Sequence, residues 1–341
     1  MIEDRLMLSA CLGGAMLLAS ATVSLAAELN IYTSREPGLV QPLLDAFSAQ
    51  SGVKVNTVFL KDGLAERVAA EGASSPADIL MAVDAGNLAD LAERGLTQPI
   101  ESEAVLAAVP VELRDPANQW VALSMRARVV YAAKDLDLSA ITYEELADPK
   151  WQGKICIRPG QHPYNTGLFA AYLAHHGTEA TEAWLSGLKG NLARKPGGGD
   201  RDGAKDILGG ICDLAVANSY YVGLMQTNEK EPEQKQWAEA IKVLLPTFEG
   251  GGTHVNISGA AIAKNAPNKT EALQLLEFLV SDEAQRIYAE ANFEYPVKPG
   301  IAPAPAIASF GTLKVDPLPL TEVVKDRKEA SLLAEKVGFD N

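Results

Sequence analysis

The chain has 341 residues, 47% of them hydrophobic and 22% charged, and a formal net charge of −14. That length and apolar content suffice for a large core and for two lobes. The acidic balance argues against nucleic acid or an anionic membrane as a partner and suits a soluble protein that attracts cations.

Leu6 to Ala27 is an apolar run ending Val23-Ser24-Leu25-Ala26-Ala27-Glu28, with small residues at −3 and −1 of a cleavage point after Ala26. Residues 1–26 read as an export signal to the periplasm. Glu3 and Asp4 outweigh Arg5 ahead of the run, so translation from Met7 is as good a start as Met1. A retained membrane anchor is the alternative. Leu8-Ser9-Ala10-Cys11 precedes the apolar run, so lipidation is not expected.

Leu29 to Ser34 reads as the first strand. The loop Arg35-Glu36-Pro37-Gly38 leads into an amphipathic helix through Gln50 with Leu39, Val40, Leu43, Leu44 and Phe47 on its apolar face. A strand at Val53–Phe59, a helix from Gly63 to Gly72, a strand at Ala77–Val83 and a helix from Ala85 to Arg94 follow. Strands alternating with helices of this length signal a mostly parallel α/β sheet, whose ligands sit beyond the carboxyl ends of the strands. The loop Thr33 to Gly38 and the turn at Asp84 lie there.

Trp120 to Tyr131 is a long β-rich stretch, read as a crossover between lobes. Thr142-Tyr143-Glu144-Glu145-Leu146 opens a short helix with a capping box. A strand around Cys156 follows, then a loop from Arg158 to Asn165 carrying His162 and Tyr164, and helices at Thr166–His176 and Glu179–Gly190. His175 and His176 read as helix-end surface residues. Lys195-Pro196-Gly197-Gly198-Gly199 lacks the phosphate-loop pattern and reads as a surface turn. The strand Cys212–Ala217 runs into Asn218-Ser219-Tyr220-Tyr221, where Asn218 and Ser219 are expected to cap a helix. That would place both phenols at a helix N-terminus, with their oxygens able to reach one point. A phenol has a pKa of about 10, so paired phenolates need a strong local cation, and a hard trivalent metal would serve. An aromatic pair packed in the core is the alternative.

A polar helix near Glu231–Ala240 and a β stretch from Val243 come next. Gly250-Gly251-Gly252 reads as part of the hinge return. His254–Ala263 is a strand back into the first lobe. Helices at Lys269–Val280 and Asp282–Ala291, a Pro-rich link and a helical pattern over Leu320–Lys336 complete the chain. The expected partition is 27–125 with 250–303 for the N-terminal lobe and 126–249 with 304–341 for the C-terminal lobe. Of three cysteines, Cys11 falls in the signal. Cys156 and Cys212 each lie in a strand-like run, and in an oxidising compartment they form either a disulfide or two buried thiols. Their spacing is not that of a zinc site.

In order and at these spacings, several motifs resemble periplasmic ferric-iron-binding proteins, the receptors of iron(III) ABC importers. They include Ile31-Tyr32-Thr33-Ser34-Arg35-Glu36, Val83-Asp84-Ala85-Gly86-Asn87-Leu88, Trp151-Gln152-Gly153-Lys154-Ile155-Cys156-Ile157-Arg158, Ala217-Asn218-Ser219-Tyr220-Tyr221 and Gly252-Thr253-His254-Val255-Asn256-Ile257-Ser258-Gly259. The resemblance spans nearly all of the mature chain. It implies a type II periplasmic-binding-protein fold of class α/β: two lobes, each a mixed, mostly parallel sheet flanked by helices, joined by a β hinge. It further implies Fe(III) ligation by Tyr220 and Tyr221, a third phenol from Tyr164, and an inner-membrane ABC permease as partner of a monomer.

Two departures matter. The family's first-lobe loop often reads Ser-Arg-His-Tyr, where this chain has Ser34-Arg35-Glu36-Pro37. A second branch uses a glutamate after the third strand, where this chain has Val83-Asp84. Three phenolates neutralise Fe(III). Water or a synergistic anion such as carbonate would fill the open positions, with Glu36 a direct ligand or a neighbour of one. Arg35, Arg126, Arg128, His162 and Asn218 are candidates for holding the anion or lining the site, and Arg126 has a structural salt bridge as its alternative. Tyr32 is expected to pack within its lobe. A same-fold receptor for an organic or anionic solute and an exported hydrolase are the competing readings. The sequence holds no hydrolase motif.

Overall fold

A computed structural model describes residues 27–341; the export-signal reading and Cys11 lie outside the described residues. The first βαβ units match the periodicity: β1 (Glu28–Thr33), α1 (Pro37–Ser51), β2 (Lys54–Phe59), α2 (Leu64–Glu71), β3 (Ile79–Ala82) and α3 (Ala85–Glu93). Proline inside the first turn starts α1, as its fixed φ permits, and the helix buries Val40, Leu43, Leu44 and Phe47. Asp84 caps α3 by accepting from Gly86 N–H at 2.8 Å. β4 (Thr97–Gln98) and α4 (Glu103–Ala108) precede the 13-residue β5 (Val121–Ala133). Then come β6 (Ile155–Cys156), α5 (Pro163–Gly190), α6 (Asp200–Leu208), β7 (Leu214–Asn218), α7 (Tyr221–Gln226), α8 (Glu233–Glu239), β8 (Ile241–Leu244) and β9 (Val255–Ala263). The chain ends with α9 (Lys269–Leu279), α10 (Asp282–Asn292), β10 (Tyr295–Pro296), α11 (Pro305–Ala308), α12 (Leu320–Lys325) and α13 (Arg327–Lys336).

The sheet order is β2-β1-β3-β9-β5-β7-β6, with β4 on β9 and β8 and β10 on β5. β1 runs parallel to β2 and β3, β6 runs parallel to β7, and the remaining pairs are antiparallel. β5 belongs to both lobes. Its first half pairs with β9 through Ala127↔Val255, and its second half pairs with β7 and β8 from Arg128↔Asn218 onward. Twelve of its thirteen residues are buried, as a strand covered on both faces requires.

Several local expectations change. Asn218 and Ser219 do not cap α7. The register places Asn218 inside β7 opposite Arg128, and the Ser219 hydroxyl accepts from Ala127 N–H at 3.2 Å, so both serve the sheet. The two expected helices over 166–190 form one element, bent at Gly177, whose φ of 78° breaks the helical path. That element begins at Pro163, so Tyr164 sits in its first turn rather than in a loop. The capping box at Thr142 is reciprocal, with Glu145 Oε2 accepting from Thr142 N–H and Thr142 Oγ1 from Glu145 N–H, but it closes only a 3₁₀ turn, Glu144–Ala147. His175 and His176 are half-buried and paired, His175 Nε2 to Asp316 at 2.6 Å and His176 Nε2 to Glu144 at 2.7 Å, rather than free on the surface. Gly252 is held by close approach: a Cβ there would stand 2.5 Å from the backbone of Val315 and Asp316. Tyr32 is buried and donates to Glu71, as expected.

Cys156 and Cys212 are joined by a disulfide. It links β6 to the turn before β7, the two strands whose continuations carry Tyr164 and Tyr220.

Candidate functional site

A cleft of about 760 Å³ opens between the lobes. Arg35, Glu36 and Asp84 line it from the first lobe, and Tyr164, Tyr220 and Tyr221 from the second. The three tyrosines come together from two places. Tyr164 leaves the first turn of α5, where the His162 side chain caps the helix by accepting from Tyr164 N–H at 3.2 Å. Tyr220 and Tyr221 stand where β7 gives way to α7. The hydroxyls of Tyr164 and Tyr220 are 3.4 Å apart, and the rings of Tyr220 and Tyr221 lie in contact at a 33° tilt with centroids 4.2 Å apart.

Guanidinium groups surround these rings. Arg158 and Arg126 lie over Tyr164 at 4.8 and 5.5 Å, and Arg201 over Tyr221 at 5.3 Å. Arg126 is buried and donates to Val83 O and to the Ser258 hydroxyl, with no carboxylate partner among the described residues; the structural salt bridge considered for it does not form. Arg128 is tied down, bonding Asp200 at 2.8 Å, Asn165 at 2.6 Å and Asn218 at 3.1 Å. Arg35 bonds Glu294 at 2.9 Å and Ser258 at 2.7 Å, and although burial opposes its charge, Glu294 keeps its pKa above the ordinary arginine value.

Burial pushes the Tyr220 phenol well above its usual range, the neighbouring Tyr164 and Tyr221 add to this, and Arg126 opposes it. Tyr221 is raised by burial, then by Tyr164 and Asp200. Burial, aided by Arg158, lowers His162 to about 4, so its ring is neutral at pH 7. Without a cation the Tyr220 and Tyr221 phenols stay protonated. No three His, Cys, Asp or Glu side chains converge on a metal site among the described residues.

Of the residues singled out by sequence, the structure brings Tyr164, Tyr220, Tyr221, Glu36, Arg35 and His162 to the cleft. Glu36 is exposed on its rim. Asn218 and Arg128 lie behind the tyrosines, in the sheet. Asp84 is engaged three times, capping α3, receiving Arg327 at 2.8 Å and accepting from Asn256 Nδ2 at 2.9 Å. Sequence reading missed Asp200 and Arg201. The glycine-rich stretch taken for a surface turn delivers both into the cleft wall, and Asp200 bonds Arg128, Arg158 and the Asn218 N–H. The signal was there in Asp-Arg-Asp opening a helix after glycines, an N-terminal pattern.

Residues 74–309 match the model of a family described as bacterial extracellular solute-binding proteins. The chain is 42% identical to iron uptake protein A2 of Synechocystis over 91% of this chain and 90% of that one. Among solved structures it is similar to a Bordetella ferric binding protein, with 61% identity, a TM-score of 0.89 and coverage of 92% of this chain and 100% of the other. A Trichodesmium protein solved in complex with iron and citrate ligands is 41% identical, with a TM-score of 0.87 over 92% of this chain and all of the other.

Proposed function

The chain belongs to the bacterial extracellular solute-binding protein family, and from that premise we propose that it captures Fe(III) in the interlobe cleft and delivers it to an ABC permease. The observation that carries the reading is the meeting of Tyr164 and Tyr220, hydroxyls 3.4 Å apart, beside Tyr221. Fe(III) is a hard cation that favours oxygen ligands. Each phenol gives up its proton on binding, so the three together neutralise the ion's charge. Because protons leave as the cargo arrives, affinity falls as pH drops.

The remaining positions go to water or to a synergistic anion, carbonate or an organic carboxylate, and Glu36 sits across the cleft as a direct ligand or a neighbour of one. The cleft is far larger than a single ion, and the iron and citrate bound to the Trichodesmium relative support a small chelating anion here. Arg126, free of any carboxylate, is the cation placed to offset the added negative charge. Arg35, Arg128 and Arg158 already face Glu294 and Asp200, which weakens the competing reading of an arginine-held organic solute. The working protein is a monomer in the periplasm, cleaved near Ala26, and binds without turnover. Its lobes are 27–125 with 250–303 and 126–249 with 304–341, closing about the β5–β9 ribbon.

Titration with ferric nitrilotriacetate is expected to raise a visible phenolate-to-iron charge-transfer band. Tyr220→Phe and Tyr221→Phe should each abolish it. Full colour retained in both variants refutes the assignment.

A further inference from the structure

The first turn of α5, which carries Tyr164, is gripped from two sides. On the side of the buried sheet, Asn165 Nδ2 donates to the carbonyls of Arg158 and Pro159 at 2.9 and 3.0 Å, while its Oδ1 accepts from Arg128. On the far side the grip comes from residues about 180 positions later. Asp340 Oδ1 accepts from Gly160 N–H at 2.6 Å, and Oδ2 accepts from Gln161 N–H at 3.2 Å. Gly160 is buried, and Asp340 is what satisfies its N–H. Phe339 is buried against Phe169, one and a half turns further along α5, with ring centroids 5.3 Å apart. It also lies over Gly160, where a Cβ would meet the Phe339 ring at 2.6 Å. Ser331 on α13 exchanges two further hydrogen bonds with the Gln161 side chain.

We propose that Phe339 and Asp340 are positioning residues for Tyr164, their clamp on the Gly160–Gln161 turn setting where its hydroxyl stands relative to Tyr220. The proposal rests on the Fe(III) reading above. Binding constellations must be held within about 0.5 Å of the productive geometry, and Tyr164 reaches the other two phenols from a helix start whose outer backbone groups have Asp340 as their partner. Neither Phe339 nor Asp340 lines the cleft, so the effect passes through the backbone of the turn.

The test compares full-length wild-type protein with Asp340→Ala, Asp340→Asn and Gly160→Ala, each also in a Tyr164→Phe background. Hydrogen exchange of the Gly160 and Gln161 amides is read without iron. The charge-transfer band and the affinity for Fe(III), by competition against citrate, are read with it. Asp340→Ala is expected to speed amide exchange at the turn, displace the band maximum and weaken Fe(III) binding about tenfold, or about 1.4 kcal/mol. Asp340→Asn, which keeps one carbonyl acceptor and the Phe339 packing, should fall between and serves if the alanine variant does not fold. Gly160→Ala should mimic Asp340→Ala by ejecting Phe339. In the Tyr164→Phe background, Asp340→Ala should cost no further affinity. A wild-type band and affinity in Asp340→Ala, or an equal loss with and without Tyr164, overturns the proposal while leaving the iron reading intact. A colourless wild-type protein overturns both.

Discussion

Replacing Asp200 with asparagine keeps the shape of the side chain and removes its charge. The Asp200 carboxylate is fully buried and accepts from Arg128 Nη1 at 2.8 Å, Arg158 Nη1 at 3.2 Å and Asn218 N–H at 2.7 Å. Hydrogen bonds to charged groups contribute about 1.5–3 kcal/mol each, so three set an upper bound of roughly 5–9 kcal/mol. The asparagine keeps one acceptor and turns its NH₂ toward at least one donor, leaving the buried Arg128 without a counter-charge. Breaking a buried pair in this way costs about 3–5 kcal/mol. At about 2–4 °C per kcal/mol for a chain approaching this size, the apo protein should melt roughly 6–20 °C lower. The loss also reaches the site, because Arg158 stacks on Tyr164 and Asn218 leads into Tyr220. Urea unfolding of apo wild type and Asp200→Asn measures the difference directly. Replacing both partners, Asp200→Leu with Arg128→Met, should cost less than Asp200→Asn alone, since no charge is then stranded. A change under about 1 kcal/mol for Asp200→Asn refutes the view that this carboxylate organises the tyrosine wall.

Reducing the disulfide, or Cys156→Ser with Cys212→Ser, releases a loop closed over a sequence separation of 56 residues; the chain-entropy relation gives about 4 kcal/mol lost, read by chemical denaturation. Burial, with Arg128, Arg126 and His175 nearby, lowers the His254 imidazole to about 3. Its folded pKa lies below its unfolded value, so the unfolded chain takes the proton first. The stability tied to it is full above about pH 6.5 and lost as pH falls toward 3, by up to roughly 5 kcal/mol. His254→Gln should flatten the acid limb of a melting-point-against-pH curve, and an unchanged limb contradicts the assignment. Arg327→Gln removes the partly exposed ion pair with Asp84, for which the expected stability loss is at most about 1 kcal/mol. Since that pair ties α13 to the opposite cleft wall, apo solution scattering should show a larger radius of gyration. An unchanged radius means the contact does not hold the lobes together.

The alternation of strands and helices over the first hundred residues was legible because each helix keeps a 3.6-residue apolar stripe and each strand is short and β-branched. Tyr220-Tyr221 was legible because adjacency survives any error in element boundaries. What escaped depended on partners far along the chain. Asn218 and Ser219 have the chemistry of helix caps, yet the antiparallel register on β5 claims them, and no local pattern sets that register. Tyr164 fell in the expected loop Arg158 to Asn165 because the helix was started at Thr166, whereas Pro163, a residue suited to a first helical position, opens it three residues earlier. Asp84 was legible as the turn after the third strand, but its pairing with Arg327, 243 positions away, was not. His175 and His176 resembled surface residues because Asp316 and Glu144 reach them from other segments.

The sharing of β5 has a consequence for how the molecule can be taken apart. Its two halves are one continuous ribbon, yet each is bonded to its own partners, Val121–Ala127 to β9 and Arg128–Ala133 to β7 and β8, so a break between Ala127 and Arg128 would leave both ladders paired and sever only the covalent run between them. What such a nick removes is stiffness: uncut, β5 carries its ladder from Val255 to Asn218 without a gap, a spring rather than a loose joint.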